Sequence, residues 1–258
     1  MLDYLPLRLD APLMSFGGPM VDKYGKSQRF PTLSSIAGLL GNALGYDHRD
    51  ADKLERLQAR LRFGARADVP GQVVKDFQTV DLGQDFLAAG WTTRGAPEGR
   101  AGGSAKTGTH IREREFLADA LYLLVLTLDP AGETPTLVDV AQALAEPARP
   151  LFIGRKPCLP SKRFLIEKDP KACVKQARSL REALGLEPSP PRGHSTAAGE
   201  VSAWWCEDGV SDGERMGEED ESRLVPVTDT RDWVNQIHVG RRFMRHGQVR
   251  LPGASHGH

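Results

Sequence analysis

Cysteine is scarce in this chain: Cys158, Cys173 and Cys206 are the only three among 258 residues, an odd number with no C-x-x-C pair. Neither a disulfide framework nor a cysteine-rich zinc site is therefore encoded. Long apolar runs are lacking too. Even the run ending at Leu128 stops at Asp129, short of the roughly 18 to 20 residues a membrane-spanning helix requires. The opening residues Met1-Leu2-Asp3-Tyr4 have neither the basic flank nor the apolar core of a signal peptide, so a cytoplasmic location without a membrane partner is expected. Catalytic signatures are missing as well: there is no H-E-x-x-H, G-x-S-x-G or G-x-G-x-x-G. Gly25-Lys26-Ser27 could end a phosphate-binding loop, but Met20 stands where that loop needs its first glycine. The seven histidines, at 48, 110, 194, 238, 246, 256 and 258, show no zinc spacing, so no metal or cofactor is expected.

An excess of either charge is absent: 34 Lys and Arg balance 34 Asp and Glu, which taken alone argues against a nucleic-acid partner. The zero is a cancellation between blocks. From Arg149 to Arg181 there are ten basic residues against two acids, a balance of +8; from Glu200 to Asp232 there are eleven acids against three arginines, a balance of −8. A basic surface can then bind a polyanion while the acidic stretch stays solvated or faces a basic partner.

Composition is otherwise that of a globular protein, with 40% hydrophobic and 26% charged residues. Leu2 to Leu9 reads as a first strand. Thr32 caps a helix running to about Leu44, and a second helix follows Asp50 with Leu54, Leu57 and Leu61 as its apolar stripe. Phe63 to Val69 and Val74 to Val80 are strand-like. Residues 82–114 hold seven glycines and little apolar periodicity after Trp91, so a projecting loop or hairpin inserted between two strands is expected there. Phe116 to Leu128 should be a central strand or strand pair, Leu137 to Leu144 a short helix, Leu151 to Ile153 a short strand, and Pro170 to Leu184 a basic helix. A linker follows at 187–193, then strands at Val201 to Trp205 and Arg223 to Val227. This order is compatible with an α+β, ferredoxin-like (RRM-like) sandwich over residues 1–150 carrying an insert at about 82–114, with a smaller, mostly β part at 151–258.

Three constellations carry candidate chemistry. In the loop after the first strand, Ser15, Phe16 and Gly17 lie near Lys23, Lys26 and Arg29. The glycines permit close backbone approach, the cations suit phosphates, and Phe16 either offers a face to a base or belongs to the core. The helix beginning at Thr32, with Ser34 and Ser35 in its first turn, presents N–H groups to which a phosphate can bind. Gly154-Arg155-Lys156 is a basic turn able to clamp a backbone phosphate, Arg155 bidentate and Lys156 as a point charge. Lys106, His110, Arg112 and Arg114 decorate the base of the insert, with Glu113 and Glu115 beside them.

In this order the pieces resemble the CasD family, within the repeat-associated RNA-binding (RAMP) superfamily: the subunit at the foot of the type I (I-E-like) CRISPR Cascade complex. The resemblance rests on Leu7-Arg-Leu-Asp-Ala-Pro-Leu-Met-Ser-Phe-Gly17, on Arg29-Phe-Pro-Thr-Leu-Ser-Ser-Ile-Ala-Gly-Leu-Leu-Gly-Asn-Ala-Leu-Gly45, on Asp76-Phe-Gln-Thr79, on Arg114-Glu-Phe-Leu-Ala-Asp-Ala120 and on Ile153-Gly-Arg-Lys-Pro-Cys158. It implies a ferredoxin-like domain with an inserted hairpin, the thumb. It also implies a non-catalytic role in antiviral defence: binding the CRISPR RNA 5′ handle, capping the filament of backbone subunits, touching the large subunit, and meeting target DNA through the complex. Ser15, Phe16, Gly17, Arg29, Thr32, Ser34 and Ser35 would line the handle site, Lys106, Arg112 and Arg114 would belong to the thumb, and Arg155 and Lys156 would add phosphate contacts. The alternative is a metal-independent endoribonuclease that processes precursor RNA, for which His110, Lys106, Tyr24 and Tyr46 supply suitable side-chain types.

Overall fold

The computed structural model describes residues 1–18, 24–47, 49–81, 89–91, 97–99, 108–189, 199–206 and 222–252. It is a mixed α+β fold. Strand β1 (Leu2–Asp10) leads through two short strands, β2 (Leu13–Met14) and β3 (Tyr24–Gly25), to helix α1 (Leu33–Ala43) and helix α2 (Ala51–Arg60). Next come β4 (Leu61–Val69), β5 (Gln72–Asp81), a small pair β6 (Ala89–Trp91) and β7 (Pro97–Gly99), β8 (Thr109–Ala118), β9 (Leu121–Leu128) and helix α3 (Leu137–Ala145). The rest comprises β10 (Lys175–Ala177), helix α4 (Leu180–Leu186), β11 (Glu200–Trp205), β12 (Arg223–Val227), β13 (Thr230–Asp232), β14 (Ile237–Val239) and β15 (Arg242–Arg250).

Seven strands form one sheet in the order β10-β1-β9-β4-β11-β15-β12, every adjacent pair antiparallel. The apolar run Leu121–Leu128 is central because both its faces are covered, which is why it reads as continuous hydrophobicity instead of alternation. Tyr122, Leu124, Leu126 and Leu128 join the core beneath α1, α2 and α3, whereas Leu123 and Val125 join Leu180, Ala183 and Leu184 of α4 on the other side. Successive side chains thus serve opposite layers, as a pleated strand dictates. β10 lies beyond residue 150 yet pairs with Leu2, Asp3 and Tyr4 of β1, so the sheet runs through both halves of the chain.

Three sequence expectations need correction. Pro170 to Leu184 is not one helix: a single 3-10 turn at Lys171–Cys173 gives way to β10 and then to α4, whose first turn is capped by the Ser179 hydroxyl accepting from the Glu182 N–H at 3.1 Å. The open edge of β1 takes 175–177 as a strand, a tertiary contact that overrides the local pattern. Leu151 to Ile153 is not a strand either. The Ile153 N–H donates to the Cys158 carbonyl (2.8 Å) and the Ile153 carbonyl accepts from the Ser15 N–H (3.1 Å), so the segment closes a turn against the β2 loop. Glu187, expected to open a linker, is buried and accepts from Tyr4 (2.8 Å) and Lys175 (2.9 Å); residues 190–193 of that linker lie outside the described residues.

Strands β5 and β8 leave the sheet and pair with each other from Gln72↔Ala118 to Asp81↔Thr109. Directly opposed residues share a face, so Asp76 with Arg114 and Gln78 with Arg112 project to one side while Glu113 and Glu115 project to the other. Most of the glycine-rich segment between these strands lies outside the described residues, including Lys106. Among the described residues no helix is long and apolar enough to cross a membrane.

Candidate nucleic-acid interface

A groove of about 690 Å³ runs between α1, the β2 loop, the turn at 152–156 and the β13–β14 hairpin. It brings together Ser15, Gly17, Ser34, Ser35, Arg155 and Lys156, six of the positions singled out from sequence, although they lie as far apart in the chain as 15 and 156. Arg149 and Arg231 add charge to the lining, and among the described residues Asp47 is its one carboxylate. Gly154 lets the turn approach: its φ is +99°, and a Cβ there would lie 1.7 Å from the Ser15 carbonyl oxygen. Only glycine meets both demands.

Several side chains nevertheless do other work than expected. Phe16 is 1% exposed, its ring edge-on to Tyr122 at 5.2 Å, so it is a core residue with no face free for a base. Thr32 is wholly buried and spends its hydroxyl on the helix cap, accepting from the Ser35 N–H, while the Ser35 hydroxyl accepts from the Thr32 N–H at 3.1 Å and donates to its carbonyl at 2.8 Å. This is a reciprocal capping box. The start of α1 is not an open phosphate seat. Its free N–H groups are taken by the protein: Leu33 donates to the Asp229 carboxylate (2.8 Å), Ser34 to the Asp229 carbonyl (3.1 Å) and Ser35 to Thr32. A helix N-terminus attracts the nearest anion, and tertiary folding supplies Asp229.

Arg155 is also committed. Its guanidinium donates to the carbonyls of Glu115 (2.7 Å) and Gly25 (3.0 Å) and lies 5.0 Å from the centroid of the Phe116 ring, tying the turn to β3 and β8. Burial, and then the neighbouring Arg114, pull it below its ordinary pKa. The bidentate phosphate clamp read from sequence is thus a structural clasp, and Lys156, exposed at the groove wall, remains the ready cation of that turn. Lys26 lies elsewhere, in a pocket of about 310 Å³ that also contains Lys75, Glu113 and Glu115. Arg29 is exposed, and its carbonyl accepts from Tyr122 at 2.7 Å. Arg112 and Arg114 stand on β8, opposite Gln78 and Asp76. Lys23 and Lys106 lie outside the described residues.

Among the described residues, the candidate catalytic side chains His110, Tyr24 and Tyr46 do not form one cluster. His110 sits on β8 opposite Val80, Tyr24 pairs with Glu113 three residues further along, about 10 Å away at strand spacing, and Tyr46 lines the groove after α1.

Sequence reasoning missed the hairpin side of the groove. Arg231 comes from the acidic stretch Glu200 to Asp232, which composition left solvated or facing a basic partner, and Trp233 and His238 follow directly after it. The His238 Nε2 is 3.3 Å from the Ser34 hydroxyl. Burial lowers its pKa, the Arg231 charge adds to that, and Asp229 opposes it.

Comparison with known proteins agrees with this architecture. The family described as CRISPR-associated protein (Cas_Cas5) matches residues 4–245. The Cascade subunit CasD of the CRISPR system of Escherichia coli (strain K12) is 31% identical over 159 residues, 61% of this chain and 67% of that protein. A solved CRISPR RNA-guided surveillance complex contains a chain of the same fold, with a TM-score of 0.66 at 22% identity, covering 97% of this chain and 91% of that one. A crystal structure of a Cas protein superimposes with a TM-score of 0.56 at 24% identity, over 96% and 95% of the two chains. The fold and the motif set define a CRISPR-associated protein. The chain belongs to the Cas5 family, whose Escherichia coli relative here is CasD.

Proposed function

We propose that this chain is the non-catalytic subunit of a Cascade-type complex that holds the 5′ handle of CRISPR RNA in the groove beside α1 and caps the backbone filament. The observation that carries the reading is the groove itself: concave, glycine-walled at Gly17, Gly18 and Gly154, and lined among the described residues by four Arg or Lys side chains against one carboxylate. Such a surface suits a single strand, whose phosphates need cations and whose bases need room to leave the stack. We read the strand order β10-β1-β9-β4 as a ferredoxin-like core and the β5–β8 hairpin, which lies between β4 and β9 in the chain, as the thumb, with Arg112 and Arg114 on one of its faces. On this reading residues 1–150 with β10 form most of the RNA-binding unit, the turn at 152–156 and the β13–β14 hairpin complete its groove, and the other later strands belong to a smaller subdomain. Backbone and large subunits are its protein partners, and target DNA is read by the guide's base pairing.

The test is retention of RNA bearing the cognate handle against RNA with that handle scrambled. A preference of at least about tenfold, roughly 1.4 kcal/mol, supports the reading; equal affinity overturns it. Incubation of precursor RNA with the protein in a chelator addresses the processing alternative, and a cyclic-phosphate product that disappears in His110→Ala would replace the non-catalytic role with endoribonuclease activity.

A further inference from the structure

The β13–β14 hairpin is a rigid wall of the groove. The Arg231 backbone exchanges hydrogen bonds with the Gln58 side chain of α2, its N–H donating to Oε1 (3.1 Å) and its carbonyl accepting from Nε2 (2.9 Å). Trp233, 8% exposed, packs 3.5 Å from where a Cβ would stand on Gly38 of α1. The two strands set Arg231 directly opposite His238, which places both side chains on one face of the ribbon, and on that face His238 reaches the Ser34 hydroxyl.

This juxtaposition is electrostatically unfinished. Arg231 makes one side-chain hydrogen bond, to the Gln236 Oε1 at 2.7 Å, and lies 5.4 Å from the Trp233 ring centroid. Among the described residues its buried Nε–H finds no acceptor and no carboxylate pairs with it. The carboxylate closest in sequence on the N-terminal side, Asp229, is engaged by Arg242 and by α1. The other neighbour, Asp232, accepts from Asn235 at the hairpin turn. A half-buried guanidinium beside an imidazole, without a counter-ion, is disfavoured unless an anion completes the site.

We propose that Arg231, with His238 and Ser34, forms a phosphate subsite on the hairpin side of the groove that takes one phosphodiester of the bound strand. The inference rests on the RNA-binding reading and adds to it a contact from the acidic stretch Glu200 to Asp232. Arg231 supplies the charge, His238 and Ser34 supply donors, and the hairpin becomes the wall that opposes Lys156.

The test measures the affinity of the full-length protein for handle RNA across a salt series, comparing wild type with Arg231→Gln and Arg231→Lys. Arg231→Gln should bind about tenfold more weakly, with the logarithmic salt slope reduced by about 0.7, the amount expected for one phosphate contact on a single strand. Arg231→Lys should keep the slope while losing part of the affinity. Wild-type affinity and slope in Arg231→Gln would overturn the subsite. Equal binding of handle and scrambled RNA by wild type would instead overturn the handle reading, and the slope difference would still decide the subsite because a phosphate contact is blind to sequence. If Arg231→Gln fails to fold, the His238 ring resonances of wild type answer the question: saturating RNA should raise the ring's titration point, and an unchanged titration overturns the proposal.

Discussion

Arg242 grips Asp229 through two hydrogen bonds of 2.7 Å, from its Nε and from one terminal nitrogen, while the same carboxylate accepts the Leu33 N–H at 2.8 Å. One buried anion thereby fastens β15 to the first turn of α1, the helix that forms the floor of the groove. Burial opposes the Arg242 charge, but Asp229 outweighs it and leaves the guanidinium above its ordinary pKa.

Replacing Asp229 by Ala strands a largely buried guanidinium and leaves an unpaired helix N–H. The expected loss is about 3–5 kcal/mol, the range for breaking one side of a buried ion pair. Urea unfolding checks it, and a loss below about 1 kcal/mol would show that this clasp contributes little.

Gly154→Ala should disrupt the groove. The left-handed backbone alone costs about 1–3 kcal/mol, and the added methyl collides with the Ser15 carbonyl, 1.7 Å from the Cβ position. Circular dichroism should show the helices retained while RNA binding falls at least tenfold; unaltered binding would mean that the turn is not held where the structure has it.

Lys156→Gln should weaken RNA binding and lower the salt slope by about 0.7, because Lys156 lines the groove and is exposed. Lys26→Gln, in the separate pocket with Glu113 and Glu115, should leave that slope unchanged. Filter binding across a salt series separates the two, and identical behaviour would refute the assignment of the groove.

Tyr122 makes stability alkaline-sensitive. Burial, opposed by the Arg29 charge, pushes its phenol up to about 12 from an ordinary 10.0. The folded state then holds this proton between pH 10 and 12 when the unfolded state has released it, so the stabilisation is complete below pH 10 and is lost as pH rises through 12. Wild type should lose up to about 1.4 kcal/mol per pH unit more than Tyr122→Phe across that window. Urea midpoints at pH 9 to 11.5 measure this, and parallel profiles for the two proteins would count against it.

The local elements were legible wherever one strong pattern covered a whole element. Thr32 announced the start of α1, the apolar stripe of Leu54 and Leu57 marked α2, and the run to Leu128 marked the central strand. The pattern misled where a neighbour decided. Residues 175–177 are a strand because β1 has an open edge, and Phe16 is core because Tyr122 lies beneath it.

From sequence alone follow the cationic block after Arg149, the glycines that permit close approach and the ordered motifs that mark the family, since each is written in consecutive residues. Tertiary structure alone decided which charges face the groove. Arg155 and the start of α1 find partners within the protein, whereas Arg231 reaches the groove from a stretch dominated by acids. A net charge counted along the chain says nothing of this, because Coulomb and hydrogen-bond partners are chosen by distance in space.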